Sequence, residues 1–323
     1  MLERFSFTTR PARESDRGTM EALFGEQPPT NGDLEFESAG LEFELLATEV
    51  LQGPDGVVGA LRRVLLPCVV QGKRRTFARL SKAVVSSELP RAERLRGWKA
   101  LIGGVVKAEN ERQESLGSFG WFTPNEWRTA QREFEFQPAR TETWLTRDPK
   151  PELRREPLDT GELPEVEALE AFDHQTTWVQ DRVSGTWGAS LVRSPELLNA
   201  RLARATGEIS VFGCFDHERI LRGWIVVETT RDSVRALDFF VPPEEVSVGR
   251  ALVARATSDA GPRAFALMLP PWSPWFDRLQ DWGFLVQVGE DVLAARTKIR
   301  RHDFYWLRDS WMHQPLMTGW PRA

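Results

Sequence analysis

The chain has 323 residues, beyond the roughly 250–300 at which a single core stops growing, so about two domains are expected. Its 41% apolar content is that of a globular protein, and a net charge of −5 gives no reason to expect a nucleic acid as partner. The opening stretch MLERFSFTTRPARESDRG has no apolar core between its charges, and no run approaches the roughly 20 apolar residues of a membrane span. A cytoplasmic protein without a membrane segment is the expectation. Cys68 and Cys214 are too far apart in sequence for a metal or redox spacing and read as buried thiols.

The first element is a strand within 4–15, where Phe5 and Phe7 alternate, followed by a helix starting near Asp16 and carrying Met20 and Leu23. After a Pro- and Gly-rich loop at 26–33 come two β-rich runs, 41–52 and 56–70. The Gly53-Pro54-Asp55-Gly56 turn between them predicts an antiparallel hairpin. A turn at 71–73 leads to a third strand at 74–87. Pro90 then opens a helix whose apolar face is Leu95, Trp98, Leu101, Ile102, Val105 and Val106. A strand at 115–122, a helix at 125–134 and a hairpin over 133–147 close the first half.

Residues 151–170 have the Pro and charge content of a linker, with an acidic helix possible at its end, which divides the chain into 1–150 and 171–323. The second half repeats the order. A hairpin spans 207–216 and 219–230, a strand covers 233–241, a helix carries Val248 to Ala256, and a strand at 264–269 precedes a helix at 274–282. Trp127, Phe134 and Phe136 of GWFTPNEWRTAQREFEF (120–136) recur as Trp275, Trp282 and Phe284 of LPPWSPWFDRLQDWGF (269–284), each 148 residues later. A duplicated fold follows.

Three antiparallel strands, a helix, a parallel strand, a helix and a closing hairpin is the order of the GCN5-related N-acetyltransferase (GNAT) fold. Both halves resemble it, and the whole resembles the family's double-domain branch. The implied fold is α/β (α+β), two tandem GNAT-like domains, each a mixed, mostly antiparallel sheet flanked by helices. The stretch 184–204 loosely resembles one found early in the second half of such proteins, with Ala200 where a Trp is usual.

The resemblance implies an acyl-CoA, most simply acetyl-CoA, as cofactor, with no metal. Asn125 stands where the family's Asn lies beside the pantetheine arm. Arg94, Leu95, Arg96 and Gly97 align with the pyrophosphate loop, with Leu95 in place of a glycine, and Trp98 follows. The chemistry of that loop is general: bare backbone N–H groups at a helix start bind phosphate, and Arg pairs with it through its fork. Backbone N–H groups of the splayed strand at Val84 and Val85 are the implied carbonyl-polarising donors. In the second half Gly249 is the one glycine offered, approached by Glu244 and Glu245.

No tyrosine lies on either late helix where the family often places its acid. Tyr305, the single tyrosine, is in the C-terminal stretch, whose aromatics read as packing. Glu88 reads as an exposed turn residue, with a general base as the alternative. The four histidines, His174, His217, His302 and His313, share no metal spacing. Two readings stay open: an N-acyltransferase acting on a small-molecule or protein amine acceptor, or a catalytically silent scaffold that binds a protein partner. A related duplicated fold that moves amino acids from tRNA onto peptides fits less well, since neither a basic surface nor a coiled-coil insertion is evident.

Overall fold

The computed structural model describes residues 6–25, 47–80, 83–112, 115–148, 164–203, 207–297 and 304–318. The expected loop at 26–33, the start of the strand at 41–52 and most of the linker lie outside these residues. The first half runs β1 (Thr8–Pro11), α1 (Arg17–Gly25), β2 (Ala47–Gly53), β3 (Gly56–Val70), β4 (Lys73–Leu80), β5 (Val84–Val85), α2 (Arg91–Arg112), β6 (Gly117–Phe122), α3 (Pro124–Phe134) and β7 (Gln137–Arg147). The second runs β8 (Glu165–Ala168), α4 (Gln175–Thr186), β9 (Ala189–Leu191), α5 (Pro195–Leu202), β10 (Glu208–Phe215), β11 (Leu221–Thr229), β12 (Ser233–Phe240), α6 (Val246–Ala260), β13 (Ala264–Leu267), α7 (Pro274–Asp281) and β14 (Leu285–Thr297). A tail of α8 (Phe304–Ser310), β15 (Trp311–Met312) and α9 (Pro315–Thr318) follows.

Turn chemistry places the hairpins as expected. The β2–β3 turn closes with Gly53 opposite Gly56, and the β3–β4 turn uses left-handed Gln71 and Gly72. Residues 133–147, expected as a hairpin, instead end α3 at a left-handed Glu135 and continue as the single strand β7. No turn residue follows Pro138, and both edges of β7 find partners in the other half. β14 lies between β6 and β7, while β7 lies between β14 and β13. The halves thus exchange their last strands, joining one twisted sheet in the order β1-β2-β3-β4-β6-β14-β7-β13-β12-β11-β10-β8. The end of the expected linker is also ordered: Glu165–Ala168 is a strand on the open edge of β10, where sheet pairing overrides the helical tendency of its glutamates.

The 148-residue repeat is visible in three dimensions. Thr123 and Ser273, two residues out of step with the repeat, begin α3 and α7, each followed by Pro at the first helical position. Glu135 and Gly283, both at positive φ, end the matching turns. Behind them Phe136 meets Phe122 edge-on at 5.3 Å, and Phe284 meets Phe265 at 6.0 Å. One core packs α2 and α3 on the first half of the sheet; a larger one packs α4, α6 and α7 on the second. A third lies under the tail, where Trp311 stacks on Phe77 and meets Phe119 edge-on. There β9 of the second half pairs with β3 of the first, and β15 pairs with β9. Among the described residues, no helix is long and apolar enough to cross a membrane.

Candidate functional site

Each half contains a place where two parallel strands part. In the first, β4 pairs with β6 only at Ala78–Ser118 and Arg79–Phe119. Beyond that point the chain turns to β3, where Val84 lies opposite Ala60 and Val85 opposite Gly59. Ser86 N–H donates to Val58 O at 2.8 Å, so the even-numbered residues here face β3. Antiparallel alternation then directs the N–H and C=O of Val85 to the other side, into the gap toward β6. Both valine side chains are buried.

The residues expected around a pyrophosphate are placed differently from a loop. Arg94 N–H already donates to Pro90 O at 2.9 Å, so Arg94, Arg96, Gly97 and Trp98 are inside α2. Arg96 reaches both oxygens of Glu93 at 2.9 Å, and Arg94 is exposed. Gly97 faces the sheet: a Cβ there would lie 2.6 Å from Leu51 and 3.3 Å from Val85. Trp98 is core, edge-on to Phe122 at 6.1 Å. Leu95, expected on the apolar face, is 45% exposed. The structure therefore brings Val85, Gly97 and Trp98 together beneath the gap and leaves Arg94 at the surface. Asn125 is exposed at the start of α3, where its carbonyl accepts from Thr129. The unbonded N–H groups at the α2 terminus are those of residues 91–93, just before Arg94. Glu88 is exposed, its N–H donating to Ser86 Oγ.

In the second half the corresponding gap is filled. β12 and β13 pair from Ser233–Ala264 to Ala236–Leu267, and β12 runs on. Trp275 of α7 lies in the opening: its indole N–H donates to Val241 O at 3.1 Å, and its ring meets Phe239 edge-on at 5.3 Å. Gly249 makes room for that ring, since a Cβ would lie 2.3 Å from it. Glu244 and Glu245 do not repel one another unopposed. Arg182 bonds both, at 2.8 Å to Glu245, and Arg222 bonds Glu245 at 2.5 Å, with both guanidiniums over Trp178 at 4.8 and 4.9 Å. Burial pushes the Glu244 carboxyl up, but bonds from its own backbone N–H and from Arg182 outweigh it and hold the group below its usual range.

Sequence reasoning did not reach three features. Arg193 and Asp238 form a fully buried pair, with Nη2 to Oδ1 at 2.9 Å, and Trp224 Nε1 donates to the same carboxylate at 3.0 Å. His313, expected as a surface or satisfied histidine, lies buried between Trp311 and Trp272, at ring distances of 5.0 and 5.9 Å. Its Nδ1 is 3.2 Å from Trp311 O, a carbonyl that only accepts, so Nδ1 carries the proton. Burial, then the charges of Arg140 and Arg193, push this imidazole well below its ordinary pKa. Third, a cleft of about 820 Å³ opens where β3 and β4 meet α4 and α5. The only clue to these groups was residue type; their neighbours come from across the sheet.

Both cysteines are buried free thiols, and burial pushes each up to about 12. His174 and His217 are exposed, and His302 lies outside the described residues. Tyr305 is 63% exposed, with Arg308 over its ring. Among the described residues, no group of three or more His, Cys, Asp or Glu could hold a metal ion.

Comparison with solved structures places this architecture. An Enterococcus faecalis protein described as a probable N-acyltransferase superposes with a TM-score of 0.67 at 12% identity, covering 91% of this chain and 73% of that one. A GCN5-related N-acetyltransferase from Kribbella flavida gives 0.61 at 14%, covering 91% and 71%. A tandem GNAT protein from the clavulanic acid biosynthesis pathway gives 0.56 at 14%, covering 91% of this chain and 98% of that one. The fold is thus α+β and GNAT-like, and the tandem match spans both halves. No protein-family model matches the sequence, and no curated protein matches it.

Proposed function

We propose that the chain is an acyl-CoA-dependent N-acyltransferase that moves an acyl group, most simply acetyl, onto an amine. Residues 1–150 would hold the cofactor, and 171–323, joined through 151–170, would form its structural counterpart. One observation carries this reading: the gap between β4–β5 and β6 receives the backbone of Val85, while its twin is filled by Trp275. Trp127, the first-half counterpart of Trp275, makes no indole hydrogen bond among the described residues and packs, partly buried, against the core that holds Val85. The GNAT-like fold supports the class of chemistry by analogy.

The residues fit an acyl-CoA in part. The parted strand offers backbone donors and acceptors, and the start of α2 offers N–H groups for phosphate with Arg94 beside them. Against this, Glu93 sits in the first turn and occupies Arg96. The cofactor supplies an activated thioester. The chain would position the amine, and the Val85 N–H would face the carbonyl oxygen on which charge develops. As the N–acyl bond forms, the thioester C–S bond would break and the thiolate of CoA would leave, while the amine proton would pass to a carboxylate or a held water, with Glu88 the nearest candidate in sequence.

Titration calorimetry with acetyl-CoA and with CoA, on the wild type and on Arg94→Ala/Arg96→Ala, tests the reading. Micromolar binding abolished in the double variant supports it. Absence of heat at about 1 mM ligand, equivalent to less than about 4 kcal/mol, overturns it. The Glu93–Arg96 pair and the Trp275 plug favour the second reading, a silent scaffold for a protein partner, and that outcome would select it.

A further inference from the structure

We propose that the cleft between the halves is a second binding site, for a zwitterionic ligand of the amino-acid or short-peptide kind. This goes beyond the acyl-transfer reading and does not depend on it. The cleft, about 820 Å³, is of the size that accepts small ligands. One wall comes from the first half, at Pro67 of β3 and Arg74 of β4; the other is the stretch from Phe172 into α4, with the start of α5.

The walls are fixed. Val192 N–H donates to Pro67 O at 2.9 Å, tying the second half to β3. Asn199 and the backbone of Phe172 exchange two bonds of 2.8 Å, and Ser194 caps α5 by accepting from Leu197 N–H. Arg193, between Val192 and Ser194, is anchored to Asp238 in the core. Such a cleft exists before any ligand arrives.

Its charges point to the ligand. Arg74 and Glu196 both line the cleft and both are exposed. Among the described residues, neither side chain makes an ion pair or hydrogen bond, although elsewhere on this surface Arg and Glu pair readily, as Arg96 with Glu93 and Arg219 with Glu167 do. Arg74 is on the first-half wall and Glu196 on the second-half wall, and they make no ion pair with each other. Asp173, on the wall of Glu196, adds a second negative charge, one of its oxygens accepting from Gln175 N–H at 2.9 Å, and exposed Arg75 adds a second positive charge beside Arg74. A molecule carrying a carboxylate and an ammonium spans them, with its carboxylate at the Arg74 fork and its ammonium at Glu196 and Asp173. Phe172, Val192 and Leu197 offer apolar surface for a side chain between. β4 carries Arg74 and ends at Leu80, so the cleft is about 20 Å along the strand from the parted gap. The two sites are separate.

The test uses the full chain and the dipeptide Ala-Leu, its N-acetyl form and its C-terminal amide, measured by calorimetry and by ligand-observed NMR. Saturable binding of free Ala-Leu, with each blocked form weaker by about tenfold or more, is expected. Arg74→Gln/Arg75→Gln should make acid and amide bind equally, and Glu196→Gln/Asp173→Asn should do so for the free and acetylated amine. All four residues are exposed, so unchanged melting curves will show that the fold is intact. Equal binding of free and blocked forms, indifference to the substitutions, or no saturation by about 10 mM would overturn the proposal. Displacement of Ala-Leu by acetyl-CoA would overturn the separateness of the sites.

Discussion

Replacing Asp238 by Ala removes the one carboxylate that, among the described residues, neutralises Arg193. In the native chain Arg193 Nε lies 3.2 and 3.0 Å from the two carboxylate oxygens, and Nη2 lies 2.9 Å from Oδ1. Both side chains are fully buried. Leu191 O at 3.1 Å and the Phe240 ring at 4.1 Å remain, but neither carries a full negative charge. Breaking a buried pair from one side costs about 3–5 kcal/mol, because the remaining charge has nowhere to go. The Trp224 N–H loses its acceptor in the same change, so the upper part of that range applies. The groups share one network, so their separate costs do not add. About 4 kcal/mol in a chain of 323 residues lowers the melting temperature by roughly 6 °C. Urea denaturation of Asp238→Ala, Arg193→Met and the double variant Arg193→Met/Asp238→Leu measures the coupling. The double variant should lose at least about 2 kcal/mol less than the two singles together. Losses below about 1 kcal/mol in the singles, or simple additivity, would refute the argument.

Four further outcomes follow from the same structure. Val85→Pro removes an N–H that faces the gap and not β3, so the fold should persist by circular dichroism while any acyl-CoA affinity measured by calorimetry is lost; unaltered affinity would remove Val85 from the site. Trp275→Ala empties the second gap and should cost about 3–5 kcal/mol in urea denaturation, whereas a loss under 1 kcal/mol would mean the ring is not a plug. The depressed pKa of His313 means the unfolded chain takes up a proton that the folded chain refuses. Stability should therefore fall as pH drops below about 6.5, with a slope of up to about 1.4 kcal/mol per pH unit, and His313→Gln should flatten that slope. Glu135→Gly relieves a side chain at φ 60° and should raise stability by about 0.5–1 kcal/mol; a fall would show that its contact with Arg296 matters more.

Much of the fold was legible because its signals are local. Pro-Asp-Gly set the β2–β3 turn, Pro90 set the start of α2, and the aromatic repeat marked two equivalent helix ends. The expected hairpin at 133–147 failed because a strand's partner is a long-range choice. Nothing within Gln137–Arg147 says that β14 will pair with it across some 140 residues. The site was legible in part for the same reason. The parting of β4 and β6 follows from element order, but the inward turn of Gly97 toward Leu51 depends on how α2 is rolled on the sheet. The Arg193–Asp238 pair joins residues 45 apart, and charge alone marks neither as buried.

The exchanged strands also impose an order of events during synthesis. β7 leaves the ribosome with its slot beside β6 destined for β14, which lies roughly 140–150 residues downstream. At 5–20 residues per second, about 7–30 s pass before that strand exists. For that interval the nascent first half holds an unmatched sheet edge on β6 and two on β7, the kind of edge that recruits strangers. A second chain at the same stage offers the same vacancy. Crowded translation on one message should therefore favour reciprocal dimers that insert each other's β14, seen as a dimer peak in size-exclusion chromatography that slower initiation reduces.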